Sequence, residues 1–287
     1  YGAGHPYAIP FTGSGTEDAI AKLTRDELVA FHRDWVRPEG ATLIVVGDTT
    51  LDEIVPMLET HFGDWRGTGP APQPVTVAEV ARPDASRVFL IDQPGAVQAN
   101  IFAAQVIAPT NDPTSTRFDM ANVVIGGDFT ARLNMNLRED KHWSYGARSS
   151  ASGTLGQRPW MASAPVQIDK TDDAMAEIQR ELSDFASGAR PPTEAELARA
   201  KAISTLSLPG AYETAWSVMT TIGGNVRFGR PDDYVFQRKA EIEAMTVTDL
   251  AGAAATIDPK ALTWVVVGDL KQIEGEVRAL ELGEVQV

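Results

Sequence analysis

Cysteine is absent from the 287 residues, which excludes disulfides, thiolate metal sites and cysteine nucleophiles. Histidine is scarce. The four present are His5, His32, His61 and His142, and no two share the i, i+4 spacing that sets two imidazoles on one helix face. Neither H-E-x-x-H nor H-x-x-E-H occurs. Asp169-Lys170-Thr171-Asp172-Asp173 lacks the glycine and the closing glutamate of a calcium loop. Basic charge is also in short supply, with 25 Lys+Arg against 39 Asp+Glu and a net charge of −14. Such a surface repels phosphate backbones and anionic lipid, so no nucleic-acid partner is expected. No apolar run approaches the ~20 residues of a membrane span, and stretches such as Trp264–Val267 are strand-sized, so no membrane insertion is expected either. Gly13-Ser14-Gly15 lacks the third glycine and preceding strand of a dinucleotide loop, and no P-loop lysine or G-x-S-x-G elbow appears.

What is present is ordinary globular material, 43% hydrophobic and 22% charged, in a length that suits two domains. An internal repeat organises it. Leu23, Thr24, Glu27, Leu28, Pro38 and Thr42-Leu43-Ile44-Val45-Val46-Gly47-Asp48 are answered by Met245, Thr246, Asp249, Leu250, Pro259 and Thr263-Trp264-Val265-Val266-Val267-Gly268-Asp269. The two sets stand about 220 residues apart and keep their order, the signature of a duplication. In each copy a threonine N-cap with an acid three residues on predicts a capped helix, and the flanking apolar pair can form a staple. Leu28, Phe31 and Trp35 then line one helical face, and the proline lies just past the helix. The β-branched run that follows reads as a buried strand ended by Gly-Asp. In the first copy Thr50 and Glu53 start another helix, which Pro56 should bend.

The segment Arg66–Ala85 is rich in proline and glycine and reads as a linker. The expected division is a first domain over 1–75, a linker over 76–85 and a complete second domain over 86–287. Compared with the second copy, the first lacks about 135 residues before its cap, which together with the unusual first residue Tyr1 leads us to expect a fragment. Within the second copy, Arg87–Ile91 and Val97–Ile107 read as strands joined at Gln93-Pro94-Gly95. Helices are expected over Pro113–Ile125 and Thr130–Asp140, and strands over Trp143–Ser152 and Pro159–Ile168. Thr171 caps a helix that buries Met175, Ile178, Leu182 and Phe185 and ends at Gly188, and Glu194–Leu206 is helical too. The fold class is therefore α+β: two related units with antiparallel-rich sheets and helices packed on one face, the first truncated at its N-terminus.

His5 and His32 read as structural rather than catalytic, and most Asp/Glu as solvated surface. The segment Gly126–Gly146 remains. Gly126-Gly127, Ala131-Arg132-Leu133, Leu137-Arg138-Glu139 and Tyr145-Gly146 resemble the second halves of the pitrilysin/insulinase zinc metallopeptidases, the inverzincins. Gly4-His5-Pro6-Tyr7, the Thr24–Glu27 cap and both Val-Gly-Asp turns look like landmarks of that family along the rest of the chain. The resemblance implies clam-shell halves of repeated α+β domains, with the zinc motif H-x-x-E-H in an N-terminal domain absent from this chain. It implies no cofactor here, and zinc in a missing or partner domain. The implied partners are a zinc-bearing N-terminal half or subunit and a peptide substrate. By the same resemblance, Arg138 and Tyr145, seven positions apart, reach the substrate at that zinc site, where a guanidinium and a phenol can donate to a carbonyl and its developing oxyanion. Otherwise Arg138 pairs with acids along its helix and Tyr145 packs in a strand. The expected role is a non-zinc half, inactive alone, that closes the chamber over a peptide. The alternatives are a catalytically dead scaffold relative and an unrelated peptide-binding module.

Overall fold

The computed structural model describes residues 1–9 and 13–287. Helices α1 (Glu17–Lys22), α2 (Arg25–Trp35) and α3 (Leu51–Phe62) precede strands β1 (Arg87–Asp92) and β2 (Gln98–Ile107). Next come α4 (Ser115–Asn122), the short α5 (Arg132–Asn134), β3 (Arg148–Ala151) and β4 (Arg158–Gln167). Helices α6 (Thr171–Ser187), α7 (Glu194–Leu206), α8 (Ala215–Phe228), α9 (Tyr234–Ala244) and α10 (Val247–Ala254) lead to β5 (Thr263–Gly268), α11 (Leu270–Ala279) and β6 (Glu284–Gln286). The chain forms two compact units, Tyr1–Val80 with Ala211–Val226, and Ala81–Gly210 with Arg227–Val287. The segment Ala211–Val226, which the sequence reading leaves in the continuous span 86–287, thus packs with the first unit. None of the helices among the described residues is long and apolar enough to cross a membrane.

Local chemistry starts the helices. Full capping boxes stand at Thr24/Glu27, Thr50/Glu53, Thr193/Glu196 and Thr246/Asp249. In each, the threonine oxygen accepts an amide that the helix cannot satisfy, and the acid returns to the cap amide. At α6 the cap differs from expectation. Lys170 holds the N-cap position, and the Thr171 hydroxyl instead donates to the Ile168 carbonyl at 2.7 Å. Gly188 ends α6 in the left-handed conformation, φ 77°, as its position predicts.

The second unit is an α+β fold around a six-stranded sheet in the order β3-β4-β2-β5-β1-β6. The pairs β3/β4, β4/β2 and β2/β5 are antiparallel, whereas β1 lies parallel to both β5 and β6. The Gln93–Gly95 turn therefore does not close a hairpin, because β5 is inserted between β1 and β2. On β2 the residues Ala99, Ile101, Ala103, Gln105 and Ile107 are buried, and the residues alternating with them are half-buried or exposed. One face of the sheet is therefore the core face, which the apolar stripe of α6 (Met175, Ile178, Leu182, Phe185) helps to cover. Gln105 is also buried there. Its amide donates to the Thr256 carbonyl at 2.9 Å and accepts from the Asp258 N–H at 2.8 Å, so its burial leaves no polar atom unpaired.

The first unit reads differently from its repeat. The stretch Thr42–Val46 is not a strand, and the described residues of this unit contain none. A strand exists only as part of a ladder, and no described segment supplies its neighbour. The stripe of α2 is exposed for the same reason: Leu28 is 54% accessible, against 0% for its counterpart Leu250. The Pro/Gly-rich segment is nonetheless anchored, because the buried Arg37 donates to the carbonyls of Thr68 (2.8 Å) and Gly69 (3.0 Å).

The two copies should thus respond differently to equivalent truncations. Trp264→Ala, in a fully buried site, should cost about 3–5 kcal/mol, whereas Leu43→Ala in the matched but exposed site should cost about 0.5 kcal/mol or less. Urea denaturation of the two variants beside the parent chain measures both.

Candidate functional site

A groove of about 530 Å³ opens on the second unit between β3 and two widened helical turns. The first turn, Val123–Gly127, continues α4 with π-helical geometry, and the second, Met135–Asp140, continues α5 in the same way. Such turns are rare in proteins and recur at functional sites. The sequence reading ends the first helix at Ile125, before the glycine pair, and treats Met135–Asp140 as ordinary helix.

Glycine makes the first turn possible. A Cβ on Gly126 would lie 2.6 Å from the backbone nitrogen of Ser149, so only a bare backbone can rest against β3 there. Asn122 fastens the contact. Its amide donates to the Ser149 carbonyl (3.1 Å), while its oxygen accepts from the Ser149 hydroxyl (2.6 Å) and the Trp160 indole N–H (2.7 Å). A second asparagine works at the other wall. Buried Asn134 donates to the Phe129 carbonyl at 2.6 Å and accepts from the Ala147 N–H at 3.1 Å. The two side chains thereby satisfy backbone groups along the free edge of β3. Sequence reasoning missed both, although an asparagine inside an apolar helical stretch is itself a signal that its side chain is needed.

Arg132 is buried at the root of the second turn. Its guanidinium grips Glu196 through two bonds (2.7 and 2.8 Å), donates to the carbonyls of Arg190 and Pro191, and sits 5.1 Å over the Phe185 ring. Burial raises the pKa of Glu196, but the Arg132 and Thr193 hydrogen bonds outweigh it and hold the carboxyl below its ordinary value. Asn136 ties the same turn to α6, donating to Glu177 and Glu181 at 2.7 and 2.9 Å.

Arg138 lines the groove. Its guanidinium lies 4.6 Å over the Phe129 ring, with Nε 3.3 Å from Glu139, in a pair whose two side chains are about two-fifths exposed. Such a pair is screened and holds the arginine loosely. The turn ends at His142, whose backbone is left-handed (φ 58°) and whose Nδ1 lies 3.0 Å from the Arg138 carbonyl. A carbonyl only accepts, so Nδ1 carries the proton. The Trp143 N–H returns to the Leu137 carbonyl at 2.9 Å, and the chain turns toward β3. Tyr145 sits in the following loop, pinned on both sides. The Ser144 hydroxyl donates to the Pro165 carbonyl (2.5 Å) and accepts from the Gly146 N–H (3.1 Å). Tyr145 is 85% exposed, and its side chain makes no hydrogen bond among the described residues. Gly146, its neighbour, lines the groove, but no hydrogen bond joins Tyr145 to Arg138.

The histidines do not offer a zinc site. His5 accepts from the Tyr7 N–H at Nδ1 (3.0 Å) and its Nε2 donates to the Ala78 carbonyl (2.9 Å), which leaves neither ring nitrogen for a metal. Among the described residues no group of three His, Asp or Glu side chains could hold a metal ion. The groove instead presents hydrogen-bond donors on a rigid frame.

Residues 22–204 match the family profile described as peptidase M16 inactive domain. The chain is similar to an uncharacterized zinc protease of Mycobacterium leprae, 21% identical over 86% of this chain and 55% of the relative. A second uncharacterized zinc protease, from Streptomyces coelicolor, is 23% identical over 90% of this chain and 56% of the relative. The chain therefore spans about half the length of these curated relatives. Among solved structures, the M16 inactive domain from Pseudomonas fluorescens shares the fold with a TM-score of 0.77, at 20% identity, over 88% of this chain and 60% of that one.

Two substitutions test how the site is held. Because Glu196 titrates lower folded than unfolded, its stabilisation is complete above the ordinary value of 4.5 and is lost as pH falls through the depressed value. Glu196→Gln should cost on the order of 3 kcal/mol near neutral pH, and the gap to the parent chain should close as pH drops below 4.5, which urea melts across that range would follow. Gly126→Ala should cost about 1–3 kcal/mol by forcing α4 off β3, read as a shift in the urea midpoint beside an exposed control such as Gly252→Ala.

Proposed function

Taking as premise that the chain belongs to the peptidase M16 inactive-domain family, we propose that it is the non-zinc half of a zinc metalloendopeptidase. It pairs with a zinc-bearing half, in the same polypeptide or in a separate subunit, closes the chamber over an extended peptide, and is inactive alone. The observation that carries this reading is the placement of Arg138 on the groove, with its guanidinium laid on Phe129 and no strong ion pair to occupy it. Among the described residues no group of three His, Asp or Glu side chains could hold a zinc ion, and this reading assigns the metal to the other half.

The roles of Arg138 and Tyr145 follow from their donors. A guanidinium laid on an aromatic face keeps its orientation while its terminal N–H groups remain available. A phenol at the tip of a pinned loop can swing toward a bound peptide at little cost to the fold. Together they suit the carbonyl oxygen of a substrate peptide and the negative charge that develops on it, where each donor gains strength as the charge grows. Nothing in this arrangement needs a nucleophile or base from this chain.

Activity should depend on these donors far more than stability does. In the complete peptidase, with the zinc-bearing half present, Arg138→Ala and Tyr145→Phe should each lower kcat about 10²–10³-fold on one fluorogenic peptide, while Lys260→Ala leaves it unchanged. Equal activity in all variants would leave Arg138 and Tyr145 as structural residues and favour a scaffold role. The isolated chain should retain no stoichiometric zinc after dialysis against a mild chelator, and metal analysis that finds one ion per chain would overturn the assignment of zinc to the other half.

A further inference from the structure

The charge balance of the groove runs against that of the chain. The molecule carries −14 overall, yet two guanidinium groups, Arg138 and Arg148, line this one cleft against a single lining carboxylate, Asp128. That carboxylate is already engaged. One of its oxygens accepts from both the amide (3.0 Å) and the hydroxyl (2.6 Å) of Thr130, and these bonds hold its pKa below the ordinary value. Glu139 lies beside Arg138 but is half in solvent and meets only its Nε, at 3.3 Å. The Arg148 guanidinium has no ion pair and no hydrogen bond among the described residues, and it is exposed on β3 between Ala147 and Ser149. Ser150, the next exposed position, presents a hydroxyl without a hydrogen-bond partner among the described residues.

Several arginines of this chain find a carboxylate of their own. Arg132, Arg180, Arg190 and Arg278 each do so at 3.0 Å or closer. Two guanidiniums left largely unpaired around one groove make it rich in donors and poor in acceptors. The planar fork of arginine matches a carboxylate in two parallel bonds, and Phe129, 56% exposed beneath Arg138, supplies an apolar floor for the stem that bears it. A cleft of about 530 Å³ is also of a size to hold a side chain with its flanking backbone.

We infer that this groove is a specificity subsite for a peptide carboxylate, read by Arg148 together with Arg138, so that the complete enzyme prefers acidic segments of its substrate. The inference rests on the peptide-binding reading above and adds the chemical class. A carboxylate can come from an aspartate or glutamate side chain or from the end of a peptide, and the recognition chemistry is the same. Because the chain is anionic overall, the attraction of the groove for a carboxylate works against the net charge and weakens as salt screens it.

The test uses three fluorescein-labelled peptides of one length, with the whole chain titrated against each by anisotropy. The first has blocked ends and one central glutamate, the second glutamine in that place, and the third glutamine with a free C-terminal carboxylate. The glutamate peptide, the free-end peptide or both should bind about tenfold tighter than the blocked glutamine peptide, the worth of one charge-assisted contact. Whichever shows the preference identifies the source. Arg148→Gln, which removes no side-chain hydrogen bond or ion pair among the described residues, should bring the ratio close to one, and Lys260→Gln should leave it intact. If all three peptides bind equally and Phe129→Ala weakens all three, the peptide-binding reading stands and the carboxylate inference is overturned. Absence of binding by every peptide would overturn both. A preference that survives Arg148→Gln would also overturn the inference.

Discussion

The insertion of β5 between β1 and β2 governs the second unit. It brings residues 263–268 between strands about 170 positions earlier in the chain, parallel to one and antiparallel to the other. Trp264 and Val266 become fully buried only because neighbours exist on both sides. Without that strand, β1 and β6 would form an isolated parallel pair and β2 would have an open edge. The first copy shows the converse. A nearly identical run of apolar and β-branched residues, Thr42–Val46, stays outside any ladder, and Leu43 and Val45 remain exposed. Strand character therefore belongs to the surroundings at least as much as to the residues.

The groove depends on the same sheet at its other end. Strand β3 is short and terminal, with backbone groups that would otherwise be left for water or for another chain. Asn122 and Asn134 occupy part of that edge, and Gly126 lies against it too closely for any side chain to intervene. The consequence is a cleft whose walls are fixed by backbone and amide contacts, while Arg138, Tyr145 and Arg148 are left comparatively free above them. Rigid support with accessible donors is the division that a recognition site requires.

Much of this was legible in the sequence, for identifiable reasons. Helix starts are local events, and the threonine-acid pairs at 24/27, 50/53 and 246/249 announced theirs correctly. The amphipathic stripe of α6 and its terminal Gly188 were equally plain. The family resemblance carried by Gly126–Gly146 is borne out by the match over residues 22–204. What escaped detection is non-local. The pattern of residues 123–140 does not announce a π-helical turn, because the first depends on how closely Gly126 meets β3, far along the chain. Buried Arg132 looked like one charge among many, since its partner Glu196 stands 64 residues away. The exposure of Leu28 or Leu43 could not be read either, because pattern tells which face seeks cover and not whether cover is available.

Glu196 illustrates why apparently interchangeable acids are not so. It returns to the Thr193 amide at 2.8 Å as the third member of a capping box, and the same carboxylate holds Arg132. At the corresponding place in α10 the acid is Asp249, whose hydrogen bonds all go to Thr246. An aspartate is long enough to close a cap, but the reach from α7 to the guanidinium of α5 needs one more methylene. That extra reach lets Glu196 moor α7 to its neighbour, whereas Glu27 and Glu53, equally long, only close their own helix starts. Shortening Glu196 by a single carbon would uncouple α7 from the groove while leaving its own first turn intact.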